Sequence, residues 1–300
     1  MRLRELYQSK QIDLSIELFP PKTEEGVKEL FIEVEHLRKF NPAFFSMTYG
    51  AAGSTRHLTL DLADQLKNRL GVETMCHLTV VGQSKEETCA ALQFLKQKGI
   101  YNLIALRGDP PRGEKNFKPH PDGFQHAVDL VREARKMNYF SIAVAGFPEM
   151  HPDSPNLASD LRYLKEKVDA GADAVITQLF FDNRFYYDFV ESARKIGIQV
   201  PIVPGILPIL SVQQIRRFTN LCKSKIPPAL DAQLVKYEND PEGAVQFGIE
   251  VATKQSEDLI KHSVPGLHFY ALNRSHSVAA VLKNLRLPNR EVAKSDERLQ

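Results

Sequence analysis

The stretch "DLSIELFPPKTEEG" (residues 13–26) contains the pattern from which the fold can be predicted. Read with a period of two, Leu14, Ile16 and Leu18 share one face of a strand, and Glu17 lies on the other. Two prolines then end the strand, since proline cannot donate to a sheet ladder. The acidic run "TEE" that follows is typical of a helix start. The stretch therefore predicts a β-α unit with a carboxylate near the point where the chain leaves the sheet.

Seven further apolar runs follow at intervals of about thirty residues, as a repeated β-α unit would give. Helical patterns lie between them, and the clearest covers residues 84–99, where Ser84 is placed to cap the first turn and Gly99 to end the last. Residues 159–172 repeat this design, with Asp160 near the start. The eight predicted strands are residues 14–19, 43–49, 74–80, 102–108, 140–146, 173–180, 200–206 and 267–273.

Eight β-α units without a break in composition predict a (β/α)₈ barrel of the α/β class (a TIM barrel), as a single domain over residues 1–288. The long interval between the seventh and eighth strands, residues 207–266, predicts extra helices, one of them within residues 225–243. Residues 289–300 are polar throughout and are interpreted as a tail. A doubly wound sheet with a small second domain is the alternative, but no G-x-G-x-x-G motif follows the first strand.

The amino-acid composition indicates which kinds of binding partner and which cellular compartment to expect. The 39 basic and 37 acidic side chains give a net charge of +2, which favours neither nucleic acid nor an anionic membrane surface. No apolar window is long enough to span a bilayer, and the charged N-terminus lacks the apolar core of a signal peptide. The three cysteines form no C-x-x-C pair. We therefore expect a reducing, cytoplasmic setting, with no metal site and no disulfide framework.

Polar residues near strand ends are the candidates for chemistry, since such barrels carry their sites at the carboxyl ends of their strands. Glu17 is expected to point into the barrel, where burial would raise the pKa of its carboxyl group and let it keep a proton for general acid catalysis. A structural ion pair with an arginine is the alternative. His77, on the third strand, is more typical of a hydrogen-bonded core residue than of a catalyst, and it is not expected to bind a metal because no second His or carboxylate lies at metal-ligand spacing.

Other strand ends add polar side chains to the same mouth. Arg107 and Asp109 flank Gly108 and precede two prolines, a rigid display of charge that favours ligand binding over a structural salt bridge. Gln178 ends the sixth strand with an amide suited to a heteroaromatic ligand. No Walker A, G-x-S-x-G or H-E-x-x-H motif is present, which leaves acid catalysis, a bound cofactor, or both. The remaining candidates at the mouth are Thr48, Tyr49, Tyr270 and Arg274.

Eight motifs, in order over residues 12–285, resemble those of the methylenetetrahydrofolate reductases. They are "SIELFPPK", "FFSMTYGAAGS", "CHLTV", "IALRGDPPRG", "GFPEMHPDS", "KVDAGADAVITQLFFD", "PIVPGILPI" and "HFYALNR". The resemblance implies a (β/α)₈ barrel that binds FAD without a Rossmann fold. It also implies ping-pong reduction of 5,10-methylenetetrahydrofolate to 5-methyltetrahydrofolate by NADH or NADPH. Relatives commonly form dimers or tetramers, so a homo-oligomer is expected.

The same resemblance implies roles for individual residues. Glu17 matches the general acid that promotes opening of the folate's five-membered ring, and Asp109 matches an aspartate close to both flavin and pterin. Gln178, Tyr270 and Arg274 match positions that line the substrate side. The other positions that match FAD contacts are Thr48, Tyr49, Ala51, His77, Arg107, Gly108, His151, Asp160 and Lys167.

The chain also departs from some relatives. It has Tyr163 and Glu166 near the expected adenosine and diphosphate of FAD, and Val212 where some relatives place an aromatic residue against the substrate. A barrel that binds flavin but works only inside a larger electron-transfer complex is the alternative function. The joint presence of the matching acid, aspartate and glutamine favours the enzyme.

Overall fold

The computed structural model describes residues 1–7, 12–49, 55–109 and 118–287. Within these ranges, eight parallel strands form a closed barrel in chain order, and the first strand pairs with both the second and the eighth. The predicted (β/α)₈ architecture is therefore confirmed. The strands are Asp13–Leu18 (β1), Phe44–Met47 (β2), Thr74–Thr79 (β3), Asn102–Leu106 (β4), Ser141–Gly146 (β5), Ala174–Leu179 (β6), Ile202–Ile206 (β7) and Gly266–Tyr270 (β8).

Helices alternate with these strands around the barrel. They are Leu3–Leu6 (α1), Glu24–Arg38 (α2), Arg56–Asp64 (α3), Lys85–Gln97 (α4), Ala127–Lys136 (α5), Leu157–Asp169 (α6), Asn183–Lys195 (α7), Val212–Cys222 (α8), Pro228–Leu234 (α9), Pro241–Lys261 (α10) and Ser275–Leu285 (α11). A π-helical turn, Gln65–Arg69, extends α3, and a 3₁₀ turn, Val235–Tyr237, follows α9. The extra helix predicted within residues 225–243 is present as α9.

Side-chain caps fix where the helices begin. Thr23 Oγ1 accepts a hydrogen bond from a backbone N–H of the first turn of α2, at 3.1 Å. Ser84 forms a capping box at the start of α4, as predicted. The helix predicted over residues 159–172 begins earlier, because its cap is Asn156. Asp160 therefore lies inside α6, where its carboxylate is available to the neighbouring loop.

The aliphatic face of β1 packs against the surrounding helices. Leu14, Ile16 and Leu18 are buried together with Leu30 of α2 in the layer between strands and helices. Complete burial of each such side chain stabilises the folded state by about 1.5–3 kcal/mol of free energy. Because side chains alternate along a strand, Glu17 points the other way, into the barrel, as predicted.

The short helix α1 closes the amino-terminal end of the barrel interior. Its Leu3 and Leu6 are buried against the inward side chains of Phe44, Met75 and Ile104. This apolar floor leaves the opposite end, where the strands end, as the end at which a ligand can enter.

Strand register brings polar side chains side by side toward that carboxyl end. Glu17 lies level with Ser46 of β2 and with Tyr270 of β8, and Ser15 lies level with His268. Residues level with one another on adjacent strands share a face, so these five side chains point into the barrel. The closed barrel thus gathers residues that are far apart in the chain.

No helix within the described ranges is long and apolar enough to cross a bilayer. The predicted tail, residues 289–300, and Ala51 of the expected cofactor site lie outside the described residues.

Candidate active site

A buried cluster of one carboxylate and two imidazoles lies inside the barrel. Glu17 Oε2 is 3.3 Å from His77 Nε2 and 3.3 Å from His268 Nε2. Ser15 Oγ lies 2.8 Å from His268 Nδ1 and extends the cluster. These four side chains, here called the acid cluster, come from β1, β3 and β8, and all are buried. Such an arrangement can hold a proton and pass it on.

The charge state of Glu17 differs from the expectation. Burial alone raises the pKa of this carboxyl group, but the charge of His77 and the hydrogen bond with His268 outweigh burial and lower the pKa to about 2. The predicted raised pKa is therefore wrong, because it considered burial without the two imidazoles. Glu17 is a carboxylate at neutral pH, and its ionic partners are histidines rather than an arginine.

His77 differs from an ordinary core histidine. Its Nε2 atom is buried at ion-pair distance from Glu17, yet it makes no well-aligned hydrogen bond with the described residues. Thr79 Oγ1, at the next inward position of β3, is likewise buried without a hydrogen-bond partner in this part of the chain. Buried polar atoms of this kind are rare and indicate that a further partner belongs nearby. The described residues contain no group of three or more His, Cys, Asp or Glu that could hold a metal ion.

Strands β6 and β8 form one half of the barrel mouth. Tyr270 Oη donates a hydrogen bond to Thr177 O at 2.6 Å. Burial and the charge of Glu17 raise the pKa of Tyr270 well above its ordinary value, so the phenol stays protonated. Gln178 lies at an irregularity in the pairing of β6 with β7, a feature that re-aims side chains. Its Oε1 accepts a hydrogen bond from Leu179 N at 2.9 Å, which leaves its NH₂ group without an acceptor among the described residues.

Gly205 of β7 fixes where Tyr270 can lie. A Cβ atom at this position would be 2.6 Å from Tyr270 Oη and closer still to Thr177 O. We expect Gly205→Ala to displace the Tyr270 ring and to reduce the free energy of unfolding by about 1–3 kcal/mol, as overpacking does. Denaturant unfolding of the two chains would measure this loss. An unchanged midpoint would contradict it and show that the wall between β6 and β8 admits a methyl group.

An asparagine joins the loops that follow β1 and β8. Asn273 accepts a hydrogen bond from Phe19 N at 2.8 Å and donates one to Phe19 O at 2.7 Å. Asn273 and the preceding Leu272 have φ values of 56° and 50°, a strained backbone of the kind found at functional sites. Arg274 follows as the N-cap residue of α11 and is exposed. Its charge is therefore at the rim, outside the buried acid cluster.

Three of the expected cofactor residues meet in the loops after β4 and β5 and at the start of α6. The Arg107 guanidinium pairs with Asp153 at 2.7 Å. The backbone N–H of His151 donates a hydrogen bond to the Asp160 carboxylate at 3.1 Å. Burial and the charge of Arg107 lower the pKa of His151, so its imidazole is neutral at neutral pH. Asp160 thus orders the loop that carries His151, while Arg107 offers a positive charge at the rim.

Lys167 of α6 is the cation best placed to hold an anionic group. Its Nζ donates a hydrogen bond to Ala145 O at 2.7 Å, and no described carboxylate lies within ion-pair distance. Burial lowers the pKa of Lys167 to about 8, an effect that the charge of Asp160 opposes. A partly buried ammonium group without a close counter-ion suits a phosphate, which would supply charge and hydrogen-bond acceptors.

The remaining expected residues lie around the same half of the mouth. Tyr49 Oη accepts a hydrogen bond from Gln83 Nε2 at 3.2 Å. Thr48, the preceding residue, is buried. Gly108 has a φ of 84°, and a Cβ atom there would lie 2.8 Å from a β3 side chain, so the close approach of this loop requires glycine. Asp109 follows and is exposed.

The three residues that depart from the pattern of some relatives lie on α6 and α8. Tyr163 and Glu166 are exposed on α6. Val212, in the first turn of α8, is 2% exposed and packs with Ile209 and Ile215. Its side chain fills a small core and is not available to pack on a ligand.

Sequence reasoning missed three residues of this site. His268 and Ser15 belong to the acid cluster, and Gln83 binds Tyr49 while its own Oε1 is buried without a partner in the described part of the chain. The signal for His268 was present, since it shares the inward face of its strand with Tyr270. Gln83 lies in a loop, where no period indicates which way a side chain points.

Comparisons with known proteins agree on one family. The family model described as methylenetetrahydrofolate reductase matches residues 2–286. The chain is 35% identical to 5,10-methylenetetrahydrofolate reductase of Salmonella typhimurium, over 92% of this chain and 91% of that protein. It is 42% identical to methylenetetrahydrofolate reductase (NADH) 1 of Arabidopsis thaliana, over 95% of this chain and 50% of that protein. The chain thus spans about half the length of such plant relatives.

A solved structure shares the fold at low sequence identity. It is an uncharacterized protein from Clostridium thermocellum that binds two copies of 5-methyl-5,6,7,8-tetrahydrofolic acid. Its TM-score to this chain is 0.65 at 14% identity, over 95% of this chain and 97% of that one. The match of the family model over nearly the whole chain, together with a bacterial relative that the chain covers over 91% of its length, shows that the chain belongs to the methylenetetrahydrofolate reductase family.

Proposed function

We propose that this chain reduces 5,10-methylenetetrahydrofolate to 5-methyltetrahydrofolate, with electrons that NADH or NADPH delivers through bound FAD. The observation that carries the proposal is the acid cluster. Glu17 contacts two imidazoles inside the barrel, between the half of the mouth that presents Lys167 and the half that presents Gln178 and Tyr270. A reductase of this kind needs a protected proton donor between its cofactor and its substrate.

The residues fit FAD on two grounds. Lys167 offers a partly buried positive charge to a phosphate group, with Arg107 at the rim as a second cation. Thr79 Oγ1 is a buried polar atom that lacks a hydrogen-bond partner in the described residues, as expected beside a site that a polar ligand completes. When bound, FAD would supply the two-electron transfer that no side chain can perform.

The acid cluster supplies the proton that each turnover consumes. Reduction of the methylene group by NAD(P)H takes up one proton from solution, which ends on the folate nitrogen released when the five-membered ring opens. Glu17 is ionised at neutral pH, and its two imidazole contacts at 3.3 Å offer a route by which a proton reaches Glu17 and passes on as the substrate nitrogen becomes basic. Ser15 steadies His268 from the far side of the ring.

The other half of the mouth orients the substrate. The free NH₂ group of Gln178 can donate to the pterin ring, and the protonated phenol of Tyr270 closes the wall beside Glu17. Arg274 at the rim suits the carboxylates at the far end of a folate. Asp109, exposed after Gly108, is proposed to contribute to the binding of both ligands.

The purified chain should bind FAD, turn yellow, and lose its flavin absorbance when NADH or NADPH is added without oxygen. Steady-state turnover with 5,10-methylenetetrahydrofolate should then follow with at least one of the two nicotinamides alone. Flavin binding without turnover would contradict the proposal and favour a subunit that works only with a partner. A chain that binds no FAD at all would exclude both functions.

A further inference from the structure

The connection between α8 and α9, residues 223–227, crosses the carboxyl ends of two barrel strands. Ser224 Oγ donates a hydrogen bond to Leu179 O, at the end of β6, at 2.9 Å. The backbone N–H of Lys225 donates to both carboxylate oxygens of Glu149, in the loop after β5, at 3.2 and 3.0 Å. Lys223 begins this crossing segment with a left-handed φ of 57°. The segment is therefore tied to β5 and β6 at two points.

The turn that carries Glu149 also carries a cofactor residue. Met150 has a φ of 74° and its N–H bonds Phe147 O at 3.0 Å, so the turn is tight and strained. His151 follows directly, and the centre of its ring lies 4.5 Å from that of Phe147. Its backbone N–H donates a hydrogen bond to the Asp160 carboxylate. A single rigid turn thus holds the crossing segment through Glu149 and the proposed flavin side through His151.

The crossing segment also reaches the proposed folate side. Burial raises the pKa of the thiol of Cys222, the last residue of α8, and the charge of Asp109 adds to the rise. Lys225 Nζ lies 5.3 Å from the centre of the Phe185 ring on α7. Residues 223–227 therefore lie over the ends of β5 and β6 at the mouth, where folate and nicotinamide would replace one another.

We propose that Glu149 is a positioning residue that clamps residues 223–227 across the mouth, and so closes the site over folate and nicotinamide. The inference rests on the proposed function. Among the described residues, the Glu149 carboxylate bonds the Lys225 backbone and no member of the acid cluster, so its direct effect reaches the mouth through the backbone of Lys225. The clamp is charge-assisted, since a carboxylate accepts the Lys225 N–H, and such bonds are roughly twice as strong as neutral ones.

The clamp should respond to acid. Burial raises the pKa of Glu149. The hydrogen bond from the Lys225 backbone and the charge of Lys225 oppose this rise, whereas the charge of Asp182 adds to it. Asp182 is itself paired with Arg184. Protonation below this raised pKa removes the charge from the acceptor, so the segment loosens as the pH falls. In wild type the KM for methylenetetrahydrofolate should rise on the acid side, whereas Glu149→Gln should show a KM that is already raised and depends less on pH.

The test compares FAD-loaded wild type with Glu149→Ala and Glu149→Gln. Glu191→Gln is the matched control, since it removes a carboxylate that pairs with Lys195 on α7. Hydrogen exchange of a peptide covering residues 222–226 should become at least about 10-fold faster in Glu149→Ala. KM for methylenetetrahydrofolate should rise about 5- to 20-fold, kcat should stay within twofold, and flavin content should not change.

The outcomes separate the clamp from the proposed function. Unchanged exchange would refute the clamp, and faster exchange with an unchanged KM would refute its role in closing the site. An equal effect of the control variant would show a nonspecific response to charge and would also overturn the inference. If wild type itself showed no turnover, the proposed function would fail, and the exchange result alone would decide whether Glu149 holds the segment.

Discussion

Glu17→Gln should leave reduction of bound FAD by NADH or NADPH within a few-fold of wild type and slow folate reduction by about 10³-fold. Glutamine has nearly the same shape but can neither carry nor relay a proton. Only the folate half of the reaction consumes a proton at the substrate, so only the rate of that half-reaction should fall. The two halves can be followed separately by anaerobic stopped-flow absorbance of the flavin.

The matched variant is Glu17→Asp, which keeps a carboxylate one methylene group further from the imidazoles. We expect it to retain part of the folate half-reaction, well above the glutamine variant. Loss of the ionic contacts with His77 and His268 could unfold the chain, so flavin content and circular dichroism must match wild type before rates are compared. Equal slowing of both half-reactions would show that Glu17 is structural.

His268→Gln should slow the folate half-reaction by about 10²-fold and make the chain more sensitive to acid. His268 helps to hold the pKa of Glu17 below its ordinary value of 4.5, at about 2. A lowered carboxyl pKa contributes stability that is present above the unfolded value and is lost as the pH falls through the folded value. Without His268, the pKa of Glu17 moves up toward 4.5, so this stability shrinks and acid unfolding begins at a higher pH.

An acid titration followed by circular dichroism measures this shift, and Ser15→Ala is its matched control. That variant removes the hydroxyl beside His268 Nδ1 and leaves the contact of His268 with Glu17 in place. Its effects on rate and on acid unfolding should be clearly smaller. The role given to His268 would be contradicted if His268→Gln unfolded in acid at the same pH as wild type and kept its turnover within threefold of wild type.

The fold could be predicted because its signals are local. Alternation along "LSIEL" was enough to orient Glu17, since a strand with one aliphatic face can be buried against helices in one way only. The cap at Ser84 was equally visible, because a capping box depends on residues three apart. The start of α6 was placed too late, since Asn156 and Asp160 are both good caps and only the chain path selects one.

The electrostatics of the site could not be predicted in the same way. The pKa of Glu17 depends on His77 and His268, which are 60 and 251 positions away in the chain. His268 lies beside it because β1 pairs with β8 as the barrel closes, and His77 comes from β3, two strands away on the other side. A sequence shows that a carboxylate is buried but not what neutralises it. The clamp at Glu149 is hidden for the same reason, since its partner is a backbone N–H in a distant connection.

Electron transfer to a folate is what distinguishes the proposed enzyme from a barrel that only binds flavin. The direct measurement mixes the FAD-loaded, prereduced chain with 5,10-methylenetetrahydrofolate in the absence of oxygen and follows both flavin and product. We predict that the flavin returns to its oxidised spectrum and that one 5-methyltetrahydrofolate forms for each flavin reoxidised. A flavin that NADH or NADPH reduces, but that stays reduced in the presence of the folate, would contradict it.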